Sequence, residues 1–161
     1  MPTPTYVALA TVTLSGETDV TFSSIPATYR DIIAVVNPTA TAGSNLLIQV
    51  NNDTASNYSR MGMYNSGSTP ASFANTNNHY VAFTGGMDVS EANLSIVQFM
   101  DYSATDKHKT TLARGTSPDE MTIGVASRWA NTSAITSVTA LTLSGESFES
   151  GTTLSLYGIE A

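Results

Sequence analysis

Hydrophobic and polar positions alternate with a period of two along most of this chain. Residues 5–14, TYVALATVTL, place Tyr6, Ala8, Ala10, Val12 and Leu14 on one parity, the pattern of a strand with one buried face. A turn at Ser15-Gly16 leads to Asp19–Phe22, where Val20 and Phe22 alternate with Asp19 and Thr21. Ile32–Val36 is apolar without a break, as in a strand covered on both faces, and Asn37-Pro38 stops it. Leu46–Val50 repeats that theme ahead of an Asn51-Asn52-Asp53 turn, and Tyr58–Tyr64 alternates again. Residues 65–78, NSGSTPASFANTNN, have no periodicity and read as the largest loop. Strands resume at His79–Thr84, end at Gly85-Gly86 and return at Leu94–Tyr102, with a charged hairpin loop over Asp101–Lys109. Thr110–Arg114, Met121–Trp129, Val138–Leu143 and Thr153–Ile159 complete the series, and only Ser90–Asn93 offers a helical turn. The pattern predicts an all-β protein of about 8–11 short strands in an antiparallel β-sandwich or barrel. A short arm over residues 1–5, made irregular by two prolines, precedes a single domain over 6–161.

Composition sharpens this reading. Charged residues are 12% of the 161 residues, about half the usual share, and Ser, Thr and Asn at about a third take their place. Such residues suit strands and turns, whereas the runs of Ala, Leu, Glu and Lys that helices favour are missing. The net charge of −7, with six scattered cations, leaves no footprint for nucleic acid or an anionic membrane. Without cysteine there are no disulfides, zinc-thiolate sites or thiol nucleophiles. The start of the chain does not read as a signal peptide, and no apolar stretch is long enough to span a membrane.

A search for reactive groups finds little. There is no Walker loop, GxGxxG, GxSxG or HExxH motif, and the two histidines, His79 and His108, stand apart. No spacing singles out a triad from the abundant hydroxyls, so no catalytic residue, cofactor site or metal site is expected. The acidic turns at Asn51-Asn52-Asp53 and Asp101–Asp106 are too sparse in carboxylates for a calcium loop. The Asn-x-Ser/Thr sequences at Asn52, Asn57, Asn93 and Asn131 are what so many hydroxyls produce by composition. Tyr58, Arg60 and Tyr64 share a parity on one strand, and with Trp129 they are the candidates for a subunit interface or for stacking on a glycan. Packing is the competing role for such aromatics.

Both ends of the chain carry a recognisable pattern. Residues 19–59 contain VTFSSIPATYRDIIAVV followed by LLIQVNNDTASNYS, and residues 128–161 run RWANTSAITSVTALTLSGESFESGTTLSLYGIEA. Together these resemble small virion structural proteins of tailed bacteriophages, found alone and as modules of fibre-like proteins. The resemblance implies a jelly-roll-like β-sandwich in a viral particle, without catalysis. On that reading the protein is a capsid decoration, or cement, protein, a homotrimer seated on the major capsid protein at the virion surface. It would be made in the host cytoplasm, where the lack of disulfides is no handicap. Its stand-alone length, with no stalk before residue 5, favours this role over the alternative, a receptor- or glycan-binding module of a tail or head fibre that contacts host-surface sugars. The centre, 65–120, has no counterpart in the resemblance.

Within the first motif, Tyr29, Arg30 and Asp31 form a structural tie rather than a reactive site. Ile25-Pro26 sets a turn, and Tyr29 can cover the sandwich end while its hydroxyl meets a backbone group. Arg30 and Asp31 point to opposite faces, so each is expected to hold a different loop.

Overall fold

The computed structural model describes residues 5–67, 69–87, 93–117, 121–143 and 145–160. It contains the strands β1 (Tyr6–Thr13), β2 (Asp19–Phe22), β3 (Asp31–Asn37), β4 (Ser44–Val50), β5 (Tyr58–Ser66) and β6 (Thr69–Asn78). These are followed by β7 (Ala82–Met87), β8 (Leu94–Met100), β9 (Lys109–Ser117), β10 (Met121–Trp129), β11 (Val138–Thr142) and β12 (Thr153–Ile159). No helix occurs among the described residues. The turn expected over Ser90–Asn93 and the arm expected over 1–5 fall almost wholly outside them. Thr5 is described, and its carbonyl accepts the amide of Glu160 at 3.1 Å.

The strands form two antiparallel sheets, one ordered β1-β12-β3-β8-β9-β10-β5-β6 and the other β2-β11-β4-β7. Set aside the hairpins β5–β6 and β9–β10 and the rest is a long hairpin rolled on itself. From the chain ends inward, β1 pairs β12, β2 pairs β11, β3 pairs β8 and β4 pairs β7. That is the jelly roll, two four-stranded sheets with their inner faces packed together. The two inserted hairpins add four strands to one side only, through β8·β9, β9·β10, β10·β5 and β5·β6 pairing. The resulting eight-stranded sheet is twice as wide as its partner.

Core side chains lie in rows across the wide sheet. Ala34, Val97, Ala113 and Val125 occupy neighbouring positions on successive strands, and all are buried. The narrow sheet contributes Leu46, Ile48 and Val50 of β4, with Val138 and Ala140 of β11 beside them. Burying such alternate residues from both sheets is the main stabilising term of a sandwich.

Three sequence expectations are corrected. Residues 65–78 are not a loop, because Thr69–Asn78 forms β6, raising the strand number among the described residues to twelve. As the outermost strand of the wide sheet it buries neither face fully, so no hydrophobic period marks it, and Pro70 is tolerated at an edge. In β1 the single buried parity is broken by a bulge at Leu9, where the register steps from Ala8↔Tyr157 to Ala10↔Leu156. Tyr6 and Ala8 therefore face outward, while Ala10 and Val12 pack on the core. Likewise His79 precedes β7, which starts at Ala82 and continues through Gly85 and Gly86.

Two strand glycines are required by close packing. A Cβ on Gly158 of β12 would strike the ring of Tyr29, and one on Gly62 of β5 would lie 2.7 Å from both the Gly124 carbonyl and Phe73. Gly124, by contrast, opens onto free space. Gly158→Ala should cost about 1–3 kcal/mol in urea unfolding through overpacking, whereas Gly124→Ala should change stability by no more than about 0.5 kcal/mol. Equal effects would refute this packing account.

Candidate functional site

The triplet before β3 is a structural junction in which Asp31 carries the tie. Its buried carboxylate accepts the amide of Asp101 at 2.9 Å and the Gln98 side-chain amide at 3.0 Å, fastening β3 to the end of β8 and the turn beyond. Tyr29 lays its ring over Gly158. The tyrosine hydroxyl that meets the backbone belongs to Tyr102, which sequence reasoning passed over. It donates to the Pro26 carbonyl and accepts the Tyr29 amide at 3.4 Å, and burial pushes its pKa up. Arg30 differs from expectation: its side chain is exposed, and it is the amide that makes a bond, to the Ile159 carbonyl at 2.9 Å.

Tyr58 and Trp129, candidates for an interface or a glycan contact, take the competing packing role and lie in the core. Both are almost fully buried and stack with ring centroids 6.4 Å apart. The turn after β4 holds them in place. Asn51 and Asn52 both adopt positive φ, and Asp53 closes the turn by donating its amide to the Val50 carbonyl at 2.9 Å. Asn is among the few residues that enter this conformation at modest cost. The turn presents the Asp53 carboxylate to the Trp129 indole N–H at 2.7 Å, the Asn57 amide at 2.9 Å and the Ala55 N–H at 2.9 Å. The Tyr58 hydroxyl donates to the Asp53 carbonyl at 2.8 Å, and burial raises its pKa well above the ordinary tyrosine range. Burial also pushes the Asp53 carboxyl up, but its three donors outweigh that effect and hold it below the ordinary value. The carboxylate is thus occupied by the fold.

Arg60 and Tyr64 follow Tyr58 on the same inner face of β5. The Arg60 guanidinium lies 4.4 Å from the ring centroid of Tyr80 and 5.5 Å from that of Phe73, and donates to the Tyr80 hydroxyl at 3.0 Å. Tyr64 meets Phe73 at 6.3 Å. These contacts form a cation–π cluster that covers the inner side of the sheet extension. Tyr58, Arg60 and Tyr64 do share one face of β5, but that face is turned inward.

Other reactive groups are similarly engaged. The Lys109 ammonium is buried and donates to the carbonyls of Lys107 at 2.9 Å and Thr132 at 3.1 Å, with its pKa lowered chiefly by burial. His79 bonds the Thr54 carbonyl through Nδ1 at 2.7 Å. Among the described residues no three His, Asp or Glu side chains gather as metal ligands, and no helix is long and apolar enough to cross a membrane.

The outer face of the wide sheet is different. Met61 and Met63 of β5 are 62% and 74% exposed, and Leu112 of β9 is 52% exposed. They flank a shallow groove of 660 Å³ over Gly124 and Ala126 of β10. This second parity of β5 carries Met61 and Met63, which as sequence suit filling gaps in a core or a subunit contact and which here stand exposed. The signal for the groove was available in Gly124 and Ala126, small residues alternating with the apolar Ile123 and Val125.

No protein-family model matches the chain, and no curated protein is significantly similar. A crystal structure of a protein of unknown function from Shewanella oneidensis MR-1 aligns over 98% of this chain and 80% of its own at 9% identity, with a TM-score of 0.22.

Two contrasts test the junctions. Asp31→Ala should lower stability by about 2–3 kcal/mol by leaving the Asp101 and Gln98 donors unpaired, whereas Arg30→Ala should stay within about 0.5 kcal/mol. A large loss at Arg30 would return the tie to its side chain. For Asp53, a carboxyl held below its unfolded value contributes stability above about pH 4 that disappears as pH falls through the folded-state pKa. In chemical denaturation from pH 7 to pH 2, Asp53→Asn should start less stable and lose less on acidification. Parallel pH curves for the two proteins would contradict this role.

Proposed function

We propose that this protein is a non-enzymatic structural component of a bacteriophage virion, a decoration protein that seats on and stabilises the capsid lattice as a trimer. The observation that carries the reading is the exposed apolar outer face of β5, β9 and β10, set on a jelly roll whose Asp31, Asp53 and Lys109 are engaged in its own junctions. A surface of this kind suits contact with a neighbouring protein, since exposed apolar patches on a well-packed scaffold mark interaction sites. The resemblance of residues 19–59 and 128–161 to phage virion proteins supplies the particle. Glycan binding has less support, because Tyr58 and Trp129 are enclosed and the Arg60 guanidinium is already packed between Tyr80 and Phe73. A trimer on the capsid would also shield part of the long sheet edges from unwanted pairing.

Purified protein mixed with empty phage capsids should bind saturably, at a fixed ratio to capsid subunits, and raise the temperature of capsid disruption. It should not bind host cells or their isolated surface polysaccharide. Cell or polysaccharide binding without capsid binding would overturn the proposal in favour of a fibre module. Sedimentation at tens of micromolar should give a mass near three chains of 16.9 kDa, and a monomer both free and on the capsid would reject the trimer.

A further inference from the structure

We propose that the groove over β10 is a docking trough for an extended, acidic and apolar segment of a partner polypeptide. This deepens the reading of that face as an assembly surface and does not depend on the partner being a capsid protein. Gly124 and Ala126 form the floor. Ala126 is paired with Leu112 on one side and Met61 on the other, and Met63 flanks Gly124. The walls therefore stand two strand spacings apart, roughly 9–10 Å, which admits one extended chain. Gly124 leaves the floor open where any side chain would fill it.

Charge gives the chemistry of the occupant. Of the six cations in a chain with net charge −7, Arg60, Lys109, Arg114 and Arg128 lie on β5, β9 and β10. The sequences of β5, β6, β8, β9 and β10 contain no Asp or Glu. Arg60 and Lys109 face inward, whereas Arg114 and Arg128 are exposed and form no ion pair among the described residues. Arg114 pairs with Gly124 and Arg128 with Thr110, so the two guanidiniums bracket Leu112 at a separation of roughly 14 Å along the strands. An extended segment whose carboxylates are four residues apart, with an apolar side chain midway, would match both arginines and the apolar walls.

Other occupants fit less well. A second copy placed face to face by a two-fold axis would set arginine against arginine, with no carboxylate on these strands to offset the repulsion. A nucleic acid would meet only two exposed cations here and a net repulsive molecule behind them.

The test uses an acetylated, amidated heptapeptide, Thr-Glu-Thr-Leu-Thr-Glu-Thr, titrated into the isotopically labelled full chain and followed by amide NMR. Saturable shifts should appear around Met61, Met63, Leu112, Gly124 and Ala126. Affinity should fall about fivefold in the doubly substituted Arg114→Gln, Arg128→Gln protein and fall further in salt. The peptide with Lys in place of Glu should not bind. Failure to shift these amides at several millimolar, equal binding of the Lys peptide, or shifts confined to another face would each overturn the trough. Concentration-dependent shifts of the same amides without peptide would also do so, naming a second copy as occupant. Capsid binding by the unaltered protein, with no peptide binding by it, would sink the trough and leave the virion reading standing. Peptide binding without capsid binding would do the reverse.

Discussion

The rest of the structure depends on how an eight-stranded sheet is covered by a four-stranded one. Sheets hide their inner faces against each other, and here β7 reaches only as far as β9 and β10. The inner faces of β5 and β6 lie beyond that reach. Among the described residues, two connections that carry the chain across, 51–57 and 79–81, meet this face at Tyr58 and Arg60. The first is pinned by Asp53 to Trp129 and by the Ala130 amide to the Asn57 carbonyl at 2.8 Å. The second is pinned by the Val81 amide to the Ile48 carbonyl at 2.8 Å, and by Gln49 to the His79 carbonyl at 2.7 Å. Tyr80 then delivers its ring and hydroxyl to Arg60.

This arrangement explains why so many polar groups that resemble functional residues are structural. A low-charge chain has few strong electrostatic links, and the ones available are placed where strands give way to connections. Asp31, Asp53 and Lys109 each sit at such a place and each bonds mainly to backbone or amide groups. Hydrogen bonds to a charged partner contribute more than neutral ones, and their loss leaves a buried group unpaired. The ordinary ion pair, Lys107 with Asp101 at 3.2 Å, is half exposed on both sides and contributes little by comparison.

A sandwich or barrel was legible in strands that alternate or run apolar, and the jelly roll only in the resemblance. Ile32–Val36 and Leu46–Val50 read as covered strands and lie in the interior of their sheets. Residues 19–59 and 128–161, which carried the resemblance, supply β2, β3, β4, β11 and β12 of that roll. The central hairpins were harder. β6 lacks a hydrophobic period because it is an edge, and the bulge in β1 shifts the buried parity midway, which a period of two cannot register. At the sites, Asp31 was recognised as a tie, but Arg30 was given a loop-holding side chain that is in fact exposed, and the hydroxyl was assigned to Tyr29 instead of Tyr102, some seventy positions away. For Tyr58 and Trp129 the choice between interface and packing stayed open, since strand parity alone does not say which parity faces the second sheet.

The same features decide which surface is free to associate. A wide open sheet ordinarily invites pairing at its edges, where unpaired amides and carbonyls are exposed. Here both edge strands are blunted. β1 carries the bulge at Leu9, and β6 carries Pro70 together with an extra residue between its pairings at Tyr58↔Asn78 and Arg60↔Asn75, where Asn77 turns to positive φ. Proline removes a donor, and a bulge twists the strand away from a straight partner. What remains unblunted is the outer face, where Met61, Met63 and Leu112 stand over glycine and alanine. Association through that face leaves the sheet closed at its ends, which favours a bounded contact over open-ended strand addition.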